Sequence, residues 1–572
     1  MNMYKKVNRV KYFYIGMVSL LIISLYGCKD FLNEPAQGTL SEITLANEKG
    51  LEGNLIAAYA VLDGHAGGSA WTASGSNWVM GEATSDNAHK GSFDTDQPGL
   101  SDVETLDWDT GLADQSIEEK WEIIFEAITR VNNVLRQIND LAEELNESER
   151  ERIMGEALAL RAFYNFEGYK VWGNFPFVPE DAKNFDIPNT EPILPKILND
   201  INEAIDLLPP AQDDVGRVDK WQAKALKGKI LMFDQQFDEA LTTLREVVNS
   251  GPYDLEQNFR EVFSSRTQNG TETILAYQAS VNDGDSQGAN GNWNERLNYP
   301  VGPDNQFGCC GFFQPTQNLV NAFQVDNDGL PLPVTQPNNW NTLDDNPDLD
   351  VPVDPRLDWT VGRPDVPYLD AGKPTSTWVK DRDFGGIYIN KKRAYEERLK
   401  GEVSSNVGWA TFQLHSLNLH LLRFGDVILL LAEAEVEVGS LENARQLVNQ
   451  IRRRAAQAAQ GPEDDIVVPI DDPRTIANYQ IEEYPLGSFT DKTFARRAVR
   501  TERRLELAME GQRFFDLRRW GIAEQAMNEY FEVEKTRKSF LNQANFQEKH
   551  NLYPIPSSAF DLSTSLQQNP GW

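Results

Sequence analysis

The chain carries thirteen tryptophans, and their neighbours separate them into two groups. A sugar ring offers apolar C–H faces and a rim of hydroxyls. A site for one therefore needs flat aromatic side chains beside short amides, carboxylates and guanidinium groups. A protein surface has little other reason to expose several tryptophans. Trp293 lies in Gly288-Ala289-Asn290-Gly291-Asn292-Trp293-Asn294-Glu295-Arg296, the clearest context for an exposed ring. Trp71 and Trp78 stand seven apart in a Gly/Ser-rich run that begins at Gly67, and Trp340 sits in Asn338-Asn339-Trp340-Asn341. The expectation is a ligand-binding face built from Trp293, Trp71, Trp78 and Trp340, with Asn77, Asn292, Asn294, Arg296 and Asp86 as polar partners. The plainer reading of each ring is a packed loop anchor, and it is strongest for Trp78. Trp121, Trp172, Trp221 and Trp520 lie among apolar helical neighbours and read as core.

Other chemistry finds less support. A glycoside hydrolase needs two carboxylates at a fixed separation, but among 87 acidic residues no motif selects a pair. The five histidines are scattered, without a His-Glu-x-x-His or Cys/His spacing, which argues against a zinc enzyme. No residue reads as catalytic, and no cofactor is implied. Asp326-Asn327-Asp328-Gly329 has the start of a calcium loop but lacks its later glutamate, so it reads as a turn, with calcium left open. Cys309 and Cys310 are adjacent between glycines. In an oxidising compartment they could close on each other; the alternative is two small buried thiols.

The compartment is read from the first residues. Lys5, Lys6, Arg9 and Lys11 precede an apolar run, Tyr12 to Tyr26, shorter than the roughly 20 residues of a spanning helix. It ends in Leu25-Tyr26-Gly27-Cys28, which resembles a bacterial lipobox. Residues 1–27 are thus expected to be a lipoprotein signal peptide, Cys28 the lipidated residue, and 28–43 a tether. Net charge is −33, so nucleic acid is excluded as a partner by repulsion.

The elements that must position these residues are mostly helical. Apolar residues three or four apart predict helices over 116–139, 191–208, 219–233, 237–249, 420–438, 441–458 and 494–517. Another opens at Ser148-x-x-Glu151, a capping-box spacing, and ends at Gly173. The pairs at 219–249 and 420–458 have the length of tetratricopeptide-like units. Between about 271 and 415 the texture becomes loop-rich, with short β-like runs such as Thr273–Tyr277. One unit is expected over 44–572: a helical scaffold at about 44–270 and 416–572, with an inserted lobe at 271–415.

Several stretches together resemble the SusD/RagB family of outer-membrane nutrient-binding lipoproteins. They include Gly81-Glu82-Ala83-Thr84-Ser85-Asp86-Asn87, Glu156 to Tyr164, Trp172-Gly173-Asn174-Phe175-Pro176, Asp354-Pro355-Arg356-Leu357 and Arg423 to Leu429. The most specific is Glu502-Arg503-Arg504-Leu505-Glu506-Leu507, continuing through Glu510 to Trp520. They occur in the family's order along most of the chain. The resemblance implies a mainly α fold of tetratricopeptide-like pairs with a loop-rich ligand-binding lobe, and no catalysis. It implies a lipid-anchored position on the outer membrane, facing the cell exterior. The partner would be a TonB-dependent, SusC-like transporter, and the ligand an oligo- or polysaccharide, with a neutral glucan favoured by the acidic charge. A RagB-like peptide ligand with the same kind of partner is the alternative. The shared motifs read as scaffold, with Glu502, Glu506 and Glu510 on the face of a solvated, ion-paired helix. In the family, ligand contacts commonly come from the loop before the Ser-Asp motif and from loops after the first central strand, where Trp71, Trp78 and Trp293 fall.

Overall fold

A computed structural model describes residues 47–64, 71–141, 145–184, 186–341, 348–407 and 412–572. The expected signal peptide, Cys28 and the tether lie outside the described residues. The longer helices are α1 (Glu48–Tyr59), α2 (Gly111–Asp140), α3 (Glu147–Trp172), α4 (Leu194–Leu207), α5 (Lys220–Phe233) and α6 (Phe237–Ser250). After the lobe come α7 (Phe424–Val438), α8 (Leu441–Ala455), α9 (Lys492–Leu507), α10 (Arg513–Arg519) and α11 (Ala523–Glu534). From α2 to α8 each helix packs on the next, and α9 closes against α7 and α8. This row of helix pairs is the tetratricopeptide-like scaffold expected from the periodicity, since each amphipathic pair buries its stripe only against a neighbour.

Local signals set the helix ends. Thr110 caps α2 by accepting the Ala113 N–H at 3.1 Å. Ile117, Trp121, Ile124, Ile128 and Val131 then form its buried stripe. α3 begins earlier than expected. Asn146, not Ser148, is its cap, accepting the Glu149 N–H at 3.0 Å, because the Asn side chain reaches the free N–H groups two residues sooner. Asp219 and Gln222 form a reciprocal cap on α5. The expected helix from His420 is in fact a strand, Leu419–Arg423, before α7 begins at Phe424. That strand pairs antiparallel with Thr273–Tyr277, in register Thr273 to Arg423 and Tyr277 to Leu419. The pairing ties both ends of the lobe to the scaffold, so tertiary pairing overrides helical periodicity there. A second, smaller aromatic core gathers Tyr299, Phe307, Trp359, Tyr368, Trp378 and Tyr395 from residues 271–415 with Phe259 from just before them.

The expected single helix over 494–517 is two. α9 stops at Leu507, and Met509 and Gly511 take left-handed backbone before α10. The glutamates of this motif are ion-paired as expected, but they are buried rather than solvated. Glu502 meets Arg356 at 2.6 Å and Arg452 at 3.0 Å. Glu506 meets Arg356, Arg423 and Arg454, while Glu510 meets Lys392 at 2.6 Å and Arg423 at 2.8 Å. Burial pushes the Glu510 carboxyl up, and the Arg423 and Lys392 charges more than reverse this, holding it at about 2. A periodic stripe cannot reveal such burial, because arginines distant in sequence supply the compensation.

Candidate functional site

The loop before the Ser-Asp motif is held by close backbone approaches. Trp71–Ala73 form one 3₁₀ turn, and Trp78–Ala83 a single π-helical turn. Asn77 between them is left-handed, with φ 52°. Gly511, also left-handed, presses on this loop: a Cβ there would lie 1.9 Å from the Ser76 carbonyl oxygen. Glu82 accepts the Met509 and Gln512 N–H groups at 2.7 and 3.1 Å, which fastens the break between α9 and α10 to the same loop. The most recognisable motif thus acts as a seat for residues 76–82.

The second segment, 288–298, is fastened to residues 413–417. The Asn292 N–H donates to the His415 carbonyl at 2.8 Å, and its side-chain amide donates to the Leu417 carbonyl at 2.9 Å. Trp293 Nε1 donates to the Gly288 carbonyl at 2.9 Å, and the Arg296 guanidinium covers its ring at 4.3 Å.

The two segments meet. Asn294 Oδ1 accepts from Ser74 Oγ at 2.7 Å and from the Ser76 N–H at 3.2 Å. Lys120 Nζ donates to the Ser74 carbonyl at 3.1 Å, and Thr72 Oγ1 to Glu119 at 2.8 Å. Glu119 is pushed up to about 7, chiefly by burial, so it exchanges a proton near neutrality beside this junction. Asn77 donates to Glu167 at 2.8 Å. Trp71 Nε1, Trp78 Nε1 and Asn294 Nδ2 are among the donors of these segments that are buried with no hydrogen-bond partner, and Trp71 and Asn294 flank the contact itself. An unmet buried donor costs about 1–3 kcal/mol, and a ligand hydroxyl that reached these groups would recover part of that cost.

The expected exposed face is not found. Trp71 is 7% exposed, Trp293 9% and Trp78 0%. Trp78 is packed beside Phe312 and Phe313 as a loop anchor. Gly/Ser/Asn neighbours signalled openness, but the same small residues allow backbones to close over the rings. Asn77, Asn292, Asn294 and Arg296 are also buried, each with structural work. Asp86 is scaffold: it pairs with Arg513 at 2.7 Å and Arg504 at 3.2 Å. Trp340 is half-buried under Arg504, with its carbonyl accepting from Gln324, away from the junction's bonding partners. Sequence reasoning missed Ser74, Ser76, Glu119 and Lys120. The serines lie inside the quoted loop, but α2's contribution carries no signal in its pattern.

Cys309 and Cys310 are joined by a disulfide, and Gln413 donates to the Cys309 carbonyl. Asp326 accepts the N–H groups of Asp328 and Leu330, both at 2.9 Å, so its loop is a turn. No group of acidic, His or Cys side chains that could hold a metal occurs among the described residues.

The model of the SusD family matches residues 271–572, more than half of the chain. The chain belongs to the SusD family. A second family model, described as starch-binding associating with outer membrane, matches residues 44–232. SusD-family proteins of this kind bind glycans and are not enzymes. A SusD-like protein of Formosa agariphila is 22% identical over 96% of both chains. Among solved structures, a SusD superfamily protein from Bacteroides vulgatus aligns with TM-score 0.68 and 20% identity, covering 92% of this chain and 100% of its own. A laminarin-binding SusD-like protein aligns with TM-score 0.66 and 22% identity, covering 92% and 100%. These likenesses agree with the mainly helical fold described above.

Proposed function

We propose that this SusD-family protein captures a neutral glycan of the glucan type at the junction of residues 71–78 and 292–296. It then delivers the glycan to a TonB-dependent, SusC-like transporter while anchored to the outer membrane through Cys28. The observation that carries the site is the pair of buried, unpartnered donors, Trp71 Nε1 and Asn294 Nδ2, where two loops 220 residues apart in sequence are bonded together. The glucan preference is supported by the acidic net charge of −33, which disfavours sulfated and uronic polymers, and by the laminarin ligand of one structural relative.

Because the rings are enclosed, recognition rests on hydrogen bonds at the junction and on ring edges, not on broad stacking. A few such contacts, each of order 1 kcal/mol, give micromolar to millimolar affinity. That is weak enough for transfer. The test is affinity electrophoresis of the protein through gels containing laminarin, starch, mannan, xylan or alginate. Retardation by a glucan supports the reading, and unchanged mobility in both glucan gels contradicts it.

A further inference from the structure

Arg518 breaks the rule its own motif sets. Its neighbours are neutralised: Arg519 by Glu433 and Asp516, both at 2.7 Å, and Arg503 by Asp426 at 2.8 Å. Among the described residues Arg518 makes one hydrogen bond, from Nη1 to the Lys170 carbonyl at 2.6 Å, and otherwise lies over the Phe514 and Phe515 rings. Its Nε is buried without a partner, and no carboxylate among the described residues opposes its charge. Burial accordingly draws it down to about 10. The chain carries a net charge of −33, yet no carboxylate among the described residues pairs with this half-buried guanidinium.

That guanidinium lines a cleft of about 590 Å³ between the ends of α3, α5 and α10. Tyr169, Phe233, Phe515 and Leu552 give it apolar walls, Asn174 and Asn551 add amides, and no acidic residue lines it. Lys170 also lines it, but its charge is spent on Glu167 at 2.6 Å. The volume lies within the range of small-ligand sites, about 300–1,000 Å³.

We propose that this cleft is a second ligand site that takes a uronic acid, free or at a glycan end. Its carboxylate would lie on Arg518 and its ring against the aromatic wall. One uncompensated cation matches one carboxylate better than a doubly charged phosphate. The apolar walls match a ring with C–H faces, and guanidinium–carboxylate pairing supplies charge-assisted bonds. The site is separate from the 71–78 and 292–296 junction, and its existence does not depend on the glycan reading there.

The test is calorimetric titration of the full-length protein in detergent with sodium D-glucuronate, and with D-glucose as the uncharged control. Glucuronate is expected to bind saturably with a dissociation constant of order 1 mM, about tenfold or more tighter than glucose. Arg518→Met abolishes that preference. Should that variant not fold, Asn551→Asp places a repelling charge at the cleft and is expected to lose glucuronate binding with the fold intact. Both variants leave retardation by glucans unchanged. The proposal is overturned if wild-type protein does not distinguish glucuronate from glucose, or if a folded variant of either kind keeps the wild-type preference.

Discussion

Asn294 shows how one side chain can do two jobs. Its carbonyl oxygen joins two loops through Ser74 and Ser76, while its amide nitrogen remains an unmet donor. Asn294→Asp keeps the acceptor and removes the donor, so loop geometry should persist. Glucan affinity should fall about tenfold, near 1.4 kcal/mol, with little change in melting temperature, as calorimetry and thermal unfolding would show. Glu506 presents the opposite case, a side chain that serves stability alone. It is fully buried among Arg356, Arg423 and Arg454. Glu506→Gln strands these cations in a dry interior and should cost about 3–5 kcal/mol in denaturant unfolding. The sequence marked these glutamates as ion-paired, but with partners expected inside their own motif rather than the Arg356, Arg423 and Arg454 that the structure supplies. It could not expose their burial, because Arg356, Arg423 and Arg454 come from three other segments.

At the level of elements, the site is positioned by a break rather than by a helix. Residues 508–512 interrupt what periodicity predicts as one helix, and Gly511 lies against Ser76 while Glu82 binds Met509 and Gln512. Gly511→Ala would place a methyl group into the Ser76 carbonyl and require left-handed backbone of a residue with a Cβ. The expected outcome is a displaced 71–78 loop. Glucan affinity should fall together with stability, and protease cleavage near residue 75 should quicken. An alanine variant that binds and melts like the parent would show that the loop does not depend on this contact. The helix pairs themselves were readable from three- and four-residue spacing, as at Ile117, Trp121 and Ile124. The strand at 419–423 was not, since its partner lies more than 140 residues earlier at Thr273–Tyr277. The loop tryptophans were legible as special but not as enclosed, because what covers Trp293 is the Arg296 guanidinium.

For the molecule as a whole, buried charge makes stability depend on pH at both ends. Glu510 is held at about 2 in the fold against an ordinary value of 4.5. Its contribution is therefore complete above about pH 4.5 and is lost as pH falls toward 2. His89 behaves in the other sense. Burial alone would lower it, but Glu104 at 2.8 Å and Glu534 at 3.4 Å raise it to about 9. Its contribution is complete below its ordinary value of 6.5 and is lost as pH rises through 9. Melting temperature should thus fall on the alkaline side between pH 6.5 and 9, and His89→Gln should flatten that limb while leaving the acid limb in place. The central claim is that a glucan is captured where residues 71–78 meet 292–296. Calorimetric titration of wild-type and Asn294→Asp protein with a laminarin oligosaccharide tests it most directly. Saturable binding by the wild type, weakened about tenfold in the variant, is the predicted result. Equal binding by the two proteins, or no binding by the wild type, would contradict it.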